Sequence, residues 1–505
     1  MNDEGIYFEG ARRVLAGQVP YRDFFNLTGP GTFWLQAAVF RLFGESFRIG
    51  RLLMAVDLAL LAALVYWLTA KLAGRGPAAF VTLFFVALDT SNLHALVANH
   101  RWDSCALAMT AVVLGFVAME RDRRWLWGIA GVSAAWAAWI TPTVLALTLA
   151  LAAWVAARRD LRSRLVPYLA GVALASAAPL LYLASRAALF DMVRHMLWSG
   201  SNYPRANTVS YGMVIGGWSG VLADAAGVQR VLITIILFFI VIPAYLPLAN
   251  FLAWPLRLWR ERRLDREILY LLTAAAGLWL SAYPWFLGHL INAAAPAFVL
   301  GGTLIHRIAR RGRAPLAVAS CFCSVLFLWN TLRPGWSAPK AATRVGPVHG
   351  HPSDLAMARN VAATIGPGQT LFVFPYKPII YFLTGGRNPT RYSFLQPSMM
   401  NDRDELSVLD DLRRRPPEWV FYEHVPPESY LRIWPGSDPA RLRLNRIEDF
   451  LVTEYQVYAR YRHPAGEYRL LRPRDAYDSA ARAASTASAS PGTTASQGVW
   501  SGTRK

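Results

Sequence analysis

The chain has 505 residues, 54% of them apolar and 17% charged, with a mean hydropathy of +0.27. Soluble domains run about 45–50% apolar and about 25% charged, so this composition excludes disorder, a fibrous repeat and a purely cytosolic enzyme. Net charge is +20, from 52 Lys and Arg against 32 Asp and Glu. The basic residues fall in short clusters between apolar runs, where membrane topology puts them, and no nucleic-acid partner is implied.

From the start of the chain, Asn2-Asp3-Glu4 followed by Ile6, Tyr7, Val14 and Leu15 reads as an N-capped amphipathic helix stopped by Gly17. Pro20 keeps the chain extended, Thr28-Gly29-Pro30-Gly31 is a turn, and Phe33 to Phe43 reads as a second amphipathic helix. Helices this short lie in the membrane interface, so residues 1–51 are predicted to form an outer loop.

The apolar runs begin at residue 52. A helix needs about 20 residues to cross the hydrocarbon core, and about ten runs qualify. They lie near 52–72, 77–93, 105–119, 125–140, 141–156, 165–183, 231–254, 268–286, 290–306 and 315–332. Cys105, Cys321 and Cys323 fall inside these runs, which suits buried thiols acting as small hydrophobes. Lys71/Arg75, Arg121/Arg123/Arg124, Arg158 to Arg164, Arg257 to Arg266 and Arg307 to Arg313 occupy every second connection. Those connections are predicted to be cytoplasmic, because Lys and Arg are retained on that side. The 89–103 connection, a long loop at 185–230 and everything after Arg333 then lie outside. Residues 1–51 fall outside as well, which predicts a first span upstream of Met1.

Beyond Pro334 the pattern changes. Thr370 to Phe374 and Trp419 to Tyr422 suit buried strands, 404–415 and 446–458 read as helices, and Tyr468 to Leu471 as a last strand. The expected fold class is therefore a polytopic α-helical membrane protein, 52–332, with a small extracytoplasmic α/β domain at 333–475. An Ala/Ser/Thr-rich disordered tail follows at 476–505.

Three clusters could carry chemistry. Asp3-Glu4 offers a general base or a cation site, the alternative being helix capping. Asp89, His94 and Asn99-His100-Arg101-Trp102-Asp103 gather on the outer side, where Arg101 and Trp102 could equally anchor a helix end. Pro375-Tyr376-Lys377-Pro378 and the run Tyr381 to Tyr392 combine a Gly385-Gly386 turn with Arg387 and Arg391, which suit phosphate or carboxylate. Walker loops, zincin helices and nucleophile elbows are absent from the sequence.

The order of these features resembles a known family. An outer acidic pair, Tyr7, a Gly17/Pro20 turn, a helix ending near Gly44, Arg51 opening a span, many further spans and a terminal α/β domain look like the GT-C superfamily of glycosyltransferases. Within it the chain is most similar to the protein mannosyltransferase and aminoarabinose transferase-like (family 39-type) branch of bacterial members. The run Leu383-Thr384-Gly385-Gly386-Arg387-Asn388-Pro389-Thr390-Arg391-Tyr392 and the ending Tyr455…Tyr461…Pro464-Ala465-Gly466-Glu467-Tyr468 resemble its soluble part. The Lys-Pro-Pro motif of some branches is replaced here by Thr28-Gly29-Pro30-Gly31.

The resemblance implies sugar transfer from a polyprenyl-phosphate donor to a glycan, lipid or protein acceptor at the outer face of the inner membrane, with inversion. It implies Asp3 as base with Glu4 beside it. The donor is already activated, so the chemistry needs a carboxylate for the acceptor proton and cations for the departing phosphate. His100, Arg101, Arg205 and Arg387 are the expected phosphate-binding residues, and Asp103, Tyr203, Tyr376 and Arg391 are expected to line the site. No cofactor or metal is assigned, apart from a divalent cation that the acidic pair could bind. The rival reading is a transporter or flippase of lipid-linked saccharides. Against it, mid-span positions are almost free of charge, Asp57 excepted.

Overall fold

The computed structural model describes residues 2–91, 97–207, 222, 226–231, 233–234, 246, 249–256, 265–283, 291–309, 314–337, 339–349, 352–426, 428–433, 437–463 and 466–474. The described part of residues 52–332 is helical apart from short connections between helices. Helix α1 spans Asn2–Leu15, α2 Gly31–Phe43, α3 Phe47–Ala73, α4 Arg75–Ser91 and α5 His100–Arg121. They are followed by α6 Arg124–Ile140, α7 Leu145–Ala157, α8 Arg162–Ser185 and α9 Leu189–Asn207. After them come Arg266–Ser281, Ile291–Ala309 and Ala314–Ser337. Most of the predicted run at 231–254, along with His94 and the tail 476–505, lies outside the described residues.

Local signals set the helix ends. The Ser46 hydroxyl accepts from Ile49 N and opens α3, and the Asn99 side chain accepts from Arg101 N at 2.9 Å and opens α5. Among the described helices α3, α5 and α8 are long and apolar enough to cross a membrane. The outer surface of α8 carries exposed Leu169, Leu174 and Leu181, which suits lipid, while Trp102, Trp127, Tyr168 and Tyr270 fill the interior. Helices α6 and α8 approach through glycines. A Cβ on Gly131 would stand 2.1 Å from Tyr168 O, and one on Gly171 2.0 Å from Gly128 O, so only hydrogen fits.

The C-terminal part holds a four-stranded sheet in the order β3-β4-β6-β5, with β3 Leu371–Phe374, β4 Trp419–His424, β5 Tyr455–His463 and β6 Gly466–Pro473. β3 and β4 run parallel, the remaining pairs antiparallel, and a separate hairpin joins β1 Lys340–Thr343 to β2 Gly346–His349. Strand alternation gives two cores. Phe421, Tyr468 and Leu470 pack on one face; Phe372, Val420, Tyr422 and Leu471 pack on the other.

Three sequence expectations change here. The 185–230 connection is not an open loop throughout, because α9 occupies Leu189–Asn207. Its Met192 and Met196 pack beside Val19, Tyr21 and Leu183, while Phe190 and Leu197 face outward. The predicted helix at 446–458 stops at Glu454, since Tyr455 turns extended and pairs with β6. Finally, α1 does not lie half in lipid. Phe8 is wholly buried among Phe40, Phe47 and Phe382, with ring centroids 5.1–5.7 Å away. Arg12 Nη1 donates to Tyr381 O at 2.9 Å, and a Cβ on Gly5 would come within 2.1 Å of Ile379 N. The first helix is thus enclosed between α3 and the C-terminal part.

Two polar links hold this arrangement. Glu4 is 0% exposed, and Arg51 of α3 donates Nε to its Oε1 at 2.7 Å and Nη2 to its Oε2 at 2.9 Å. Arg391 donates Nη2 to Tyr21 O at 2.7 Å, and the same nitrogen lies 3.1 Å from His195 Nε2. That contact needs a neutral imidazole. Burial, then Arg391 and Arg194, hold the His195 pKa down to about 3.

Replacing Arg51 by Met strands a buried carboxylate and should cost about 3 kcal/mol, the lower end for broken buried pairs because Arg51 is half-exposed. A melt in detergent checks this, and an unchanged transition contradicts it. The His195 contribution is complete above the unfolded value of about 6.5 and declines as pH falls toward 3, reaching a loss of about 2 kcal/mol at pH 5. Wild type should therefore lose more stability than His195→Gln between about pH 7.5 and 5. Equal losses would exclude the imidazole as the cause.

Candidate functional site

Four segments meet around the first turn of α1. Asp3 is exposed at the helix start, where a carboxylate is favoured by the helix dipole. Tyr376, from the loop after β3, donates Oη to Asp3 Oδ1 at 3.2 Å. Tyr7 lies one turn along α1, its ring 5.5 Å from that of His100. Arg101 in the first turn of α5 hydrogen-bonds Tyr203 near the end of α9.

The electrostatics bind these groups into one site. Burial is the main cause that pushes the Tyr7 hydroxyl upward, the Asp3 charge adds to it, and Arg101 opposes it. The Tyr203 hydroxyl is also raised by burial, with Arg101 lowering and Asp3 raising it. Tyr376 is raised by burial and then by Asp3. All three phenols therefore stay protonated and serve as neutral donors around a carboxylate and a guanidinium. Such a site can accept a proton at Asp3 and hold an anionic oxygen at Arg101 and the hydroxyls.

The predicted residues divide. Asp3, Arg101, Tyr203 and Tyr376 are brought together, and His100 sits at the rim. His100 Nδ1 is 2.6 Å from Thr141 Oγ1, which in turn donates to Ser104 Oγ at 2.9 Å, so this ring is tied to the helix interior. Asp103 is buried, accepts from Thr32 Oγ1 at 2.7 Å and lies against Asp57. Arg205 belongs to α9, and its side chain lies outside the described residues.

Three assignments need correction. Glu4 is not a second catalytic acid: both its oxygens are taken by Arg51, and Oε1 also accepts from Ala98 N at 3.2 Å. Neighbouring positions on a helix face different ways, so Asp3 and Glu4 part company. Arg387 donates Nε to Gly368 O at 2.9 Å and its backbone pairs with Gln369 and Leu371, a role in closing a turn beside the sheet. Arg391 serves the clip to Tyr21 and His195 rather than the Asp3 group. Tyr7 belongs among the site residues, and its place one helical turn from Asp3 was the signal for it. Among the described residues no three His, Cys, Asp or Glu side chains are placed to hold a metal ion.

Residues 28–183 match the sequence profile of the dolichyl-phosphate-mannose-protein mannosyltransferases. Among curated proteins nothing matches. The fold is shared with solved structures. ArnT from Cupriavidus metallidurans bound to undecaprenyl phosphate superposes with a TM-score of 0.56 at 15% identity, over 93% of each chain. The oligosaccharyltransferase AglB from Archaeoglobus fulgidus, in complex with an inhibitory peptide and a dolichol-phosphate, gives 0.51 at 12% identity, over 94% of this chain and 70% of that one. An oligosaccharyltransferase from Archaeoglobus fulgidus in complex with Zn and sulfate gives 0.51 at 12% identity, over 92% of this chain and 68% of that one. The chain thus shares the fold of ArnT and AglB over nearly its whole length and carries the mannosyltransferase profile over residues 28–183, and the two findings together support the resemblance to GT-C glycosyltransferases.

Proposed function

We propose that this protein transfers a sugar from a polyprenyl-phosphate donor to a hydroxyl-bearing acceptor at the outer face of the cell membrane, with Asp3 as the base. The observation that carries this reading is the meeting of Asp3, Tyr376, Tyr7, Tyr203 and Arg101 in one site. A transporter would place its ionisable groups along a path through the spans, whereas these gather at helix ends. The ArnT and AglB structures, which hold undecaprenyl phosphate and dolichol-phosphate, support the lipid-phosphate class of donor.

In this reading the Asp3 carboxylate takes the proton of the acceptor hydroxyl as its oxygen attacks the anomeric carbon. The bond from that carbon to the phosphate oxygen breaks, and the electron pair leaves with the polyprenyl phosphate. Arg101 meets the charge growing on that oxygen, and a guanidinium suits phosphate geometry. Tyr376 holds one Asp3 oxygen and sets its direction, and Tyr203 does the same for Arg101. A single base with no covalent intermediate inverts the anomeric centre. The outward apolar side of α9, next to the turn bearing Tyr203, gives the prenyl chain an approach from the bilayer. Residues 333–475 would then form an extracytoplasmic unit closing over the site.

Reconstituted in liposomes with radiolabelled undecaprenyl-phosphate mannose or its pentose counterparts, wild type should release or transfer sugar. Asp3→Asn should slow turnover by about 100-fold or more at little cost in stability, as loss of a general base does. Arg101→Gln should weaken donor use as well. Turnover untouched in Asp3→Asn would remove the base assignment, and solute flux without sugar release would favour the transporter.

A further inference from the structure

Behind Tyr376, on the other face of the sheet, lies a charged group that the reaction above leaves unused. Tyr376 packs with Phe394, Tyr430 and Leu442 on one side. Lys377, next in the chain, turns the opposite way and is 9% exposed. Its Nζ donates to Tyr468 Oη at 2.5 Å and stands 4.1 Å from the centroid of that ring.

The sheet register explains the company Lys377 keeps. Tyr468 of β6 is directly opposite Glu423 of β4, so both side chains rise from the same face. Glu423 and Asp354, the latter from the helix Pro352–Thr364, are the charges that bear on the ammonium. Burial lowers the Lys377 pKa, and burial raises that of Glu423 to about 7 with Asp354 adding and Lys377 opposing. The groups facing this cluster are thus Lys377 from the loop, Glu423 from β4, Tyr468 from β6, Asp354 from its helix, and Tyr430, whose hydroxyl also feels Glu423.

A buried ammonium is costly, and an apolar side chain of similar length would fill the space with less penalty. What the ammonium adds is direction. It fixes a loop whose preceding residue touches Asp3 and whose following helix, Ile379–Thr384, packs against α1 at Gly5.

We propose that Lys377 is a positioning residue for sugar transfer: held by Tyr468 and faced by Glu423 and Asp354, it anchors the 375–378 loop so that the Tyr376 hydroxyl meets Asp3. This rests on the reading of Asp3 as the base. A displacement of about 1 Å at a reacting group can cost up to about 100-fold in rate, so the anchor acts on kcat rather than on donor affinity.

The test uses the full chain in liposomes with radiolabelled undecaprenyl-phosphate mannose or its pentose counterparts, assayed from about pH 5 to 9. Lys377→Met should lower kcat about tenfold while donor KM stays within about twofold, and Lys377→Arg should restore most of the loss. Wild type should show a step in kcat near pH 7 as Glu423 ionises, with higher activity above it, and Glu423→Gln should lack that step. Wild-type kcat in Lys377→Met overturns the proposal, as does a step near pH 7 that persists in Glu423→Gln. Should Lys377→Met fail to fold, the Glu423→Gln profile decides alone. Absence of turnover in wild type would overturn the reading of Asp3 itself, a result distinct from an active wild type matched by Lys377→Met.

Discussion

A carboxylate with none of its surface in water must be paired, and the pairing of Glu4 with Arg51 governs how this protein is assembled around its first helix. It fixes α1 against α3 by two hydrogen bonds, which sets both the position of the helix and its rotation. Once rotation is fixed, Asp3 must point elsewhere, and it points to Tyr376. Gly5, next in sequence, lets the backbone of α1 meet that of Pro378 and Ile379 without a Cβ between them. Three consecutive residues thus supply the proposed base, the lock and the contact.

The site draws on parts far apart in the chain. The first helix brings Asp3 and Tyr7, α5 brings Arg101 from its opening turn, α9 brings Tyr203, and the C-terminal part brings Tyr376. Each is held from behind. Asn99 caps α5, Arg391 joins the loop after α1 to α9, and Lys377 secures the loop bearing Tyr376. Polar groups gathered at the margin of a helical scaffold, with further polar ties behind them, suit the proposed reaction, whose substrates would arrive partly from lipid and partly from water.

Much of this was legible in the sequence. Helices appear at the apolar runs wherever residues are described, and basic clusters between them marked their ends, because charge in hydrocarbon is expensive. Asp3 and Arg101 could be singled out as ionisable groups gathered at one end of the spans. Glu4 could not be told from Asp3, since adjacency says nothing about which face a helix buries. Helix α9 was hidden by Ser199-Gly200-Ser201 and Pro204, although Met192 and Met196, one turn apart, already mark an inward face. Arg387 and Arg391 suited phosphate by residue type, but their partners are backbone carbonyls and a histidine that only the tertiary fold brings near. Strand β5 escaped notice because the apolar period of the preceding helix runs on into Tyr455 and Val457. Its pairing with β6 across Gly466 decides the outcome.

The central claim is that Asp3 and Arg101 stand on either side of the reacting bond. A structure of the protein with a non-cleavable phosphonate analogue of undecaprenyl-phosphate mannose measures this directly. The account predicts the phosphonate oxygens at hydrogen-bond distance from Arg101, with the Asp3 carboxylate on the opposite face of the anomeric carbon, where an acceptor hydroxyl would attack. A headgroup seated away from both residues, with Asp3 still bound to Tyr376 and nothing between it and Arg101, would contradict it.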